Sequence, residues 1–127
     1  MEAMCVLVCV TGQKTCERLI SEGSRLAKEL DIDLSVVHVA RQGAGLLGGN
    51  IAEAEALEYL FKISTDHGAG MTVIRSNEIV PTLAAHARKV NAALMVLGST
   101  RSPGKDVTRN MREHMPDMEF KIVYTEE

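Results

Sequence analysis

A chain of 127 residues, 46% of them hydrophobic, can bury one core, so a single domain over residues 1–127 is expected. The net charge of −3 and the 3% of aromatic residues disfavour a nucleic-acid partner, which would need basic or stacking side chains. No apolar run approaches the roughly 20 residues of a membrane span. The acidic start at Glu2 is unlike a signal peptide. These features predict a cytoplasmic protein with no membrane partner.

The first half of the chain alternates strand and helix patterns. Residues 4–10 form a continuous β-branched run, typical of a strand buried on both faces, and a loop at 11–14 follows. A second strand is predicted at 34–39, and Asn50 is a suitable cap for a helix that ends near Gly68. The two helices carry apolar stripes, which are Cys16, Leu19, Ile20, Gly23, Leu26, Ala27 and Leu30 in the first, and Ala54, Leu57, Leu60, Phe61 and Ser64 in the second.

The second half continues the alternation. A strand at 71–74 precedes a helix that Ser76 or Asn77 would cap and that would end near Asn91. An apolar strand at 93–97 leads into a loop at 98–105. Asp106 would cap a short helix that Pro116 stops. Residues 119–124 alternate charged and apolar side chains, which predicts a half-exposed edge strand.

The order βαβαβαβαβ predicts an α/β fold, a three-layer doubly wound Rossmann-like sheet of five mainly parallel strands in the order 3-2-1-4-5. In such sheets a ligand binds at the carboxyl ends of the strands, where the winding reverses. The loops at 11–14 and 98–105 are therefore the candidate walls of a binding site.

Basic side chains follow each of the first four strands. They are Lys14, Arg41, Arg75, Arg101 and Lys105. Helix N-termini add partial positive charge at the same edge, so the pattern predicts an anion site in a protein of negative net charge. The alternative is that these are ordinary solvated loop residues.

Gly98-Ser99-Thr100 directly follows a buried strand. A glycine there lets backbone approach a ligand, and the next N–H groups and hydroxyls could hold a phosphate. The alternative interpretation is an ordinary turn.

A literal G-x-G-x-x-G at 43–48 lies between a strand and a helix, as in dinucleotide-binding folds. Its first glycine is too far from the strand and its third precedes the helix. No ribose-binding acid follows the next strand, so a loop is predicted. The spacing of Cys5, Cys9 and Cys16 matches no metal or redox motif, which favours buried thiols. The four histidines are interpreted as structural, no metal site is expected, and no catalytic constellation is found.

The order of these elements resembles the universal stress protein family over nearly the whole chain. The resemblance is carried by the strand at 6–10 entering Thr11-Gly12, the strand ending His38-Val39, and the run from Ala93 to Ser99. Residues 15–20 and 115–123 are more similar to the stress-protein-like domain of potassium-sensor histidine kinases.

That resemblance implies a regulatory module, not an enzyme, in signal transduction or the stress response. Members that bind ATP carry an Asp after the first strand and a G-x-x-G, nine residues, G-S/T pattern after the fourth. This chain has Thr11 for the Asp, keeps Gly98, and has Arg101 and Met111-Arg112 at the other positions. The cradle for a triphosphate is therefore incomplete, and the expected ligand is an adenine nucleotide or a cyclic dinucleotide, with no cofactor assigned.

The predicted ligand-binding residues lie in the loops at that edge, and they are Thr11, Gly12, Gln13, Lys14, Val39, Ala40, Arg41, Gly98, Ser99, Thr100, Arg101, Ser102 and Lys105. A homodimer is expected through the last strand, with Phe120, Ile122 and Tyr124 at its edge. The first alternative is a ligand-free module that dimerises or docks to a signalling protein. A second is a dinucleotide-dependent reductase that uses the loop at 43–48.

Overall fold

The computed structural model describes residues 4–10, 13–40, 51–99 and 107–124. Its elements are β1 (Cys5–Val10), α1 (Gln13–Leu30), β2 (Asp33–Ala40), α2 (Ile51–Asp66), β3 (Gly70–Arg75), α3 (Ile79–Lys89), β4 (Ala92–Ser99), α4 (Val107–His114) and β5 (Glu119–Tyr124). The sheet runs β3-β2-β1-β4-β5 with every neighbouring pair parallel, which confirms the predicted fold and strand order.

β1 lies at the centre of the sheet, and all six of its residues are buried. Successive side chains of a strand point to opposite faces, so its apolar run feeds two separate cores. The first cluster joins alternate residues of β1 to α1 and α2, through Val6, Val8, Val10, Leu19, Ile20 and Leu60. The second cluster joins the other face to α3 and α4, through Leu7, Cys9, Leu83, Ala84, Ala87, Met111 and Met115.

α1 approaches the sheet closely at Gly23. A Cβ added there would overlap Cγ2 of Val8 and would lie 3.2 Å from Cδ1 of Leu34. The predicted stripe of α1 is buried at Cys16, Leu19, Ile20, Gly23 and Ala27, with Leu26 half-buried. Leu30 is 51% exposed, so that part of the prediction was wrong. Leu30 is the last residue of α1.

α2 buries a narrower stripe than the sequence predicted. Leu60 and Ser64 are buried, and the Ser64 hydroxyl donates to the carbonyl of Leu60 at 2.8 Å. Phe61 is 59% exposed, which contradicts its predicted place in the core, and Ala54 is exposed as well. Tyr59 occupies the opposite flank, where it packs on the first cluster and donates its hydroxyl to Glu17 of α1 at 2.9 Å. α2 therefore sits rotated toward α1.

The helix ends follow backbone chemistry. Gly68 adopts a left-handed φ of 74° after α2, as predicted, and Asp31 and Asn91 do so after α1 and α3. The N-cap of α3 is Glu78, so the prediction of Ser76 or Asn77 was wrong. Ser76 lies two residues before this cap and forms a turn with it, since the Ser76 hydroxyl oxygen accepts from the N–H of Glu78 at 3.0 Å.

The interior position of the three cysteines is confirmed, since Cys5, Cys9 and Cys16 are 4%, 4% and 0% exposed. Burial raises the pKa of the Cys9 thiol to about 12. In α4, Met111 and Thr108 are buried and His114 is exposed, and Met115, just after the helix, is buried as well.

Among the helices of the described ranges, none combines the length and the apolar character that a bilayer crossing requires.

Candidate functional site

The carboxyl edge of the sheet is where the chain reverses its winding. β2 and β3 lie on one side of β1, and β4 and β5 lie on the other. In sheets of this winding the binding crevice lies beyond the ends of the two central strands, which are Val10 of β1 and Ser99 of β4 here. α1 begins at Gln13, close after β1, so its partly positive end faces the same crevice.

Part of the predicted site falls within the described residues. Gln13 and Lys14 form the first turn of α1, and Ser99 ends β4. Arg75 ends β3, two strands away from β1, so about 10 Å separates them along the edge. The remaining predicted residues lie outside the described ranges, and they are Thr11, Gly12, Arg41, Thr100, Arg101, Ser102 and Lys105, together with the loop at 43–48. Their roles stay predictions.

Gly98 has a packing role that the sequence did not indicate. A Cβ added there would lie 3.3 Å from Cδ1 of Leu19, so the first cluster leaves little room for a larger residue. Gly98 is nevertheless exposed, as the second-to-last residue of β4. The same glycine thus allows α1 to pack on β4 and leaves backbone accessible at the edge.

Val39 and Ala40 differ in what they can offer a ligand. Val39 is 8% exposed and belongs to the second cluster. Ala40 is half-buried, and its carbonyl accepts from the N–H of Ser76 at 2.8 Å. The small side chain of Ala40 is therefore the more accessible of the two predicted contacts.

His38 also lies at this edge, although it is not among the predicted ligand-binding residues. Its Nδ1 lies 2.9 Å from the carbonyl oxygen of Val10, across the β1–β2 pair. A carbonyl oxygen can only accept, so Nδ1 carries the proton, and in the neutral ring Nε2 remains an acceptor. The bond fixes a half-buried imidazole at the end of β1, beside the crevice. The one available signal was a polar ring near the end of a mostly apolar strand.

The last strand is an edge strand, as predicted, but its side chains are not equally available. Phe120 and Ile122 are half-buried against the second cluster. Tyr124 is 69% exposed. Of the three residues predicted to form a dimer edge, Tyr124 is thus the one whose side chain is free to reach a second chain.

A shallow hollow of about 380 Å³ lies on the opposite face of the sheet from α1. Ile74 of β3 lines it together with residues of α3, among them Thr82, His86 and Lys89. His86 is only 8% exposed. Burial, and then the charge of Lys89, lower the pKa of the His86 ring.

This depressed pKa predicts a pH dependence of stability. The unfolded chain, with an ordinary histidine pKa of about 6.5, binds a proton at His86 more readily than the folded chain does. The stabilisation is therefore present above about pH 6.5 and is lost as the pH falls below it. Urea unfolding at about pH 7.5 and 5.5 should show a smaller drop in the free energy of unfolding for His86→Gln than for the parent chain. Equal drops would contradict the assignment.

Within the described ranges, no group of three or more His, Cys, Asp or Glu side chains is arranged to hold a metal ion.

Comparisons with known proteins agree with this geometry. A family model described as the universal stress protein family matches residues 4–111. The sensor protein KdpD of Mycobacterium tuberculosis is 35% identical over 96 residues, or 76% of this chain. The chain spans only 11% of the length of that relative.

Two solved structures share the fold. The universal stress protein of Archaeoglobus fulgidus in complex with dAMP superposes with a TM-score of 0.67 at 22% identity, over 98% of each chain. A universal stress protein in complex with cAMP gives a TM-score of 0.68 at 17% identity, over 98% of this chain and 99% of that one.

Proposed function

This chain belongs to the universal stress protein family, and from that premise we propose that it is a regulatory module that binds an adenine mononucleotide at its carboxyl-edge crevice. The observation that carries the proposal is the reversal of winding between β1 and β4, beside the start of α1. Two fold neighbours are complexes with dAMP and cAMP, and each of these ligands carries a single phosphate.

The preference for one phosphate over three rests on α4. Family members that bind ATP carry a Gly-Ser/Thr pair at the end of their phosphate-binding pattern. The corresponding residues here are Met111-Arg112. Met111 is fully buried in the second cluster, inside α4. A helix packed on the sheet supplies no free N–H groups at that point, because its amides bond within the helix. A long phosphate chain would therefore lose part of its cradle.

A single phosphate has enough partners in the proposed site. Backbone N–H groups of Gly12, Gly98 and Ser99 would hold it, and Arg101 and Lys105 would neutralise it. The base would lie against Ala40, next to the imidazole of His38, which is fixed by its bond to Val10. A cyclic dinucleotide, which also presents phosphate and a base, is the alternative ligand for these groups.

Thermal denaturation in the presence of nucleotides tests the proposal. AMP, dAMP, cAMP, ATP and a cyclic dinucleotide would each be added to the purified chain. A ligand at a hundred times its Kd should add about 2.7 kcal/mol to the free energy of unfolding. We expect stabilisation by a monophosphate to exceed that by ATP at equal concentration.

A matched pair of arginine variants controls for non-specific charge effects. Arg101→Ala should raise the Kd of the nucleotide by at least about tenfold, the size expected for one charge-assisted contact, and should reduce the stabilisation accordingly. Arg88→Ala should leave it unchanged, because Arg88 is exposed near the end of α3, at the opposite edge of the sheet. Stabilisation by none of the five nucleotides would reject the nucleotide proposal.

A second candidate function is docking to another copy or to a signalling protein without a ligand. In the part of the chain that the structure describes, β3 and β5 are the edge strands of the sheet, and an unpaired edge can accept a strand from another chain. The match to part of a sensor protein supports a signalling role of this kind. A nucleotide-independent dimer in sedimentation would favour this function over the first.

A further inference from the structure

The shallow hollow between β3 and α3 offers a place for a ligand away from the crevice. Its volume of about 380 Å³ is near the lower end of the roughly 300–1,000 Å³ of small-molecule sites. The residues that line it are Ile74, Pro81, Thr82, Ala85, His86 and Lys89. None of them belongs to the predicted nucleotide site, and β3 is separated from β1 by β2. A ligand in the hollow would therefore not compete with a nucleotide at the crevice.

His86 is the observation that points to a ligand. The residue is 8% exposed, so more than nine-tenths of its surface is removed from water. Among the described residues, no hydrogen-bond partner of its ring is found, and the ring lines the hollow. Buried polar groups in proteins are nearly always hydrogen-bonded. A partner for the ring therefore has to come from whatever occupies the hollow.

The polar side of the hollow is suited to a hydrogen-bond acceptor with one negative charge. His86 and Lys89 are three residues apart in α3, so their side chains are neighbours on the helix surface. The depressed pKa of His86 keeps its ring neutral at neutral pH, with one N–H donor, and Lys89 adds an ammonium group. The Thr82 hydroxyl donates to Oγ of Ser76 at 2.8 Å, so its proton is already used. Of the described residues that line the hollow, only Lys89 carries a charge.

The rest of the lining is apolar and excludes several kinds of ligand. Ile74 is half-buried, and Pro81 and Ala85 are exposed, so hydrocarbon surface is open to a ligand. An amine would be repelled by the ammonium group of Lys89. A dicarboxylate would bring a second charge for which the described lining holds no cation, and inorganic phosphate would leave the hydrocarbon uncovered. A compact acid with one carboxylate and an apolar body meets both requirements.

We propose that the hollow binds a small monocarboxylic acid. Its carboxylate accepts from the His86 ring and from Lys89, and its hydrocarbon part packs on Ile74, Pro81 and Ala85. The His86 ring thereby gains a hydrogen-bond partner. The alternative role of Lys89 is to complement the partly negative end of α3, and that role needs no ligand. Binding measurements on variants separate the two roles.

NMR titration of the full chain with isobutyrate tests the site. Isobutyrate should shift the ring signals of His86 until they saturate, whereas the ring signals of His38, His67 and His114 should stay in place. Isobutyramide has nearly the same shape without the charge, and its Kd should be at least about threefold higher. Sodium chloride at equal ionic strength should not reproduce the shifts at His86.

Two neighbouring cations of α3 supply a matched pair of variants. Lys89→Gln should raise the Kd of isobutyrate by at least about threefold, because it removes the charged partner of the carboxylate. Arg88→Gln removes a charge that does not line the hollow, so it should change the Kd by less than about twofold. Both side chains are exposed, so both variants should keep the fold. Ala85→Leu places a larger side chain in the hollow and should prevent binding.

The outcomes decide between the site and the alternative. Saturable shifts at His86 that Lys89→Gln weakens and Arg88→Gln does not would support the site. Equal effects of these two variants, equal binding of isobutyramide, or no saturable shift at His86 would overturn it. The nucleotide proposal does not depend on this result, because the hollow shares no residue with the predicted crevice.

Discussion

Replacing Leu19 by alanine is expected to lower the free energy of unfolding by about 2–5 kcal/mol. Leu19 is 1% exposed and belongs to the first cluster. Its methyl groups also cover Gly98 of β4. Removing them loses the transfer free energy of the buried side chain and leaves a cavity that the sheet cannot fill, since β1 and β4 are held by their ladder. Urea unfolding at neutral pH measures the change.

Leu30→Ala is the matched control, because it makes the same substitution in the same helix. Leu30 is 51% exposed at the end of α1, so a change within about 0.5 kcal/mol is expected. Equal losses for the two variants would mean that α1 packs on the sheet with a different face from the one described.

Gly23→Ala is expected to destabilise the chain by about 1–3 kcal/mol, although alanine is the better helix former. The new methyl group would overlap Cγ2 of Val8, which is fully buried in β1. Strain of this kind exceeds the roughly 1 kcal/mol that replacing a helical glycine can contribute. Chemical denaturation of the variant gives the sign directly.

Two comparisons identify the cause of that loss. Gly70→Ala should be neutral or slightly stabilising, because a Cβ added at Gly70 meets nothing within 4 Å. In a double-mutant cycle, Val8→Ala should remove most of the penalty of Gly23→Ala, since the overlapping methyl group is then absent. Additive losses would place the strain elsewhere.

The fold could be predicted because its strongest signals are local. A β-branched run such as 4–10 can hardly be anything but a central strand, and its alternation with helical stripes leaves one familiar winding. Phe61 and Leu30 were misplaced because a stripe defines a direction only to within one residue. How far α2 rotates depends on the Tyr59–Glu17 contact between two helices, which a pattern within one helix does not contain.

The site was less predictable than the fold for a related reason. The chain order places loops at the carboxyl edge, so the crevice between β1 and β4 followed from topology. The packing of Gly98 on Leu19 and the bond from His38 to Val10 depend on register between elements distant in sequence. Phosphate contacts at Arg101 and Lys105 stay predictions, because they belong to loops beyond the described ranges.

The buried thiols limit the kinds of stress that this chain could sense directly. Oxidants such as peroxide react with an accessible thiolate, and that form is scarce in a buried thiol of raised pKa. Burial raises the pKa of Cys5, Cys9 and Cys16 alike. Each thiol would have to be uncovered by partial unfolding before sulfenic acid could form. Oxidative damage to these side chains would therefore follow loss of the native core rather than precede it.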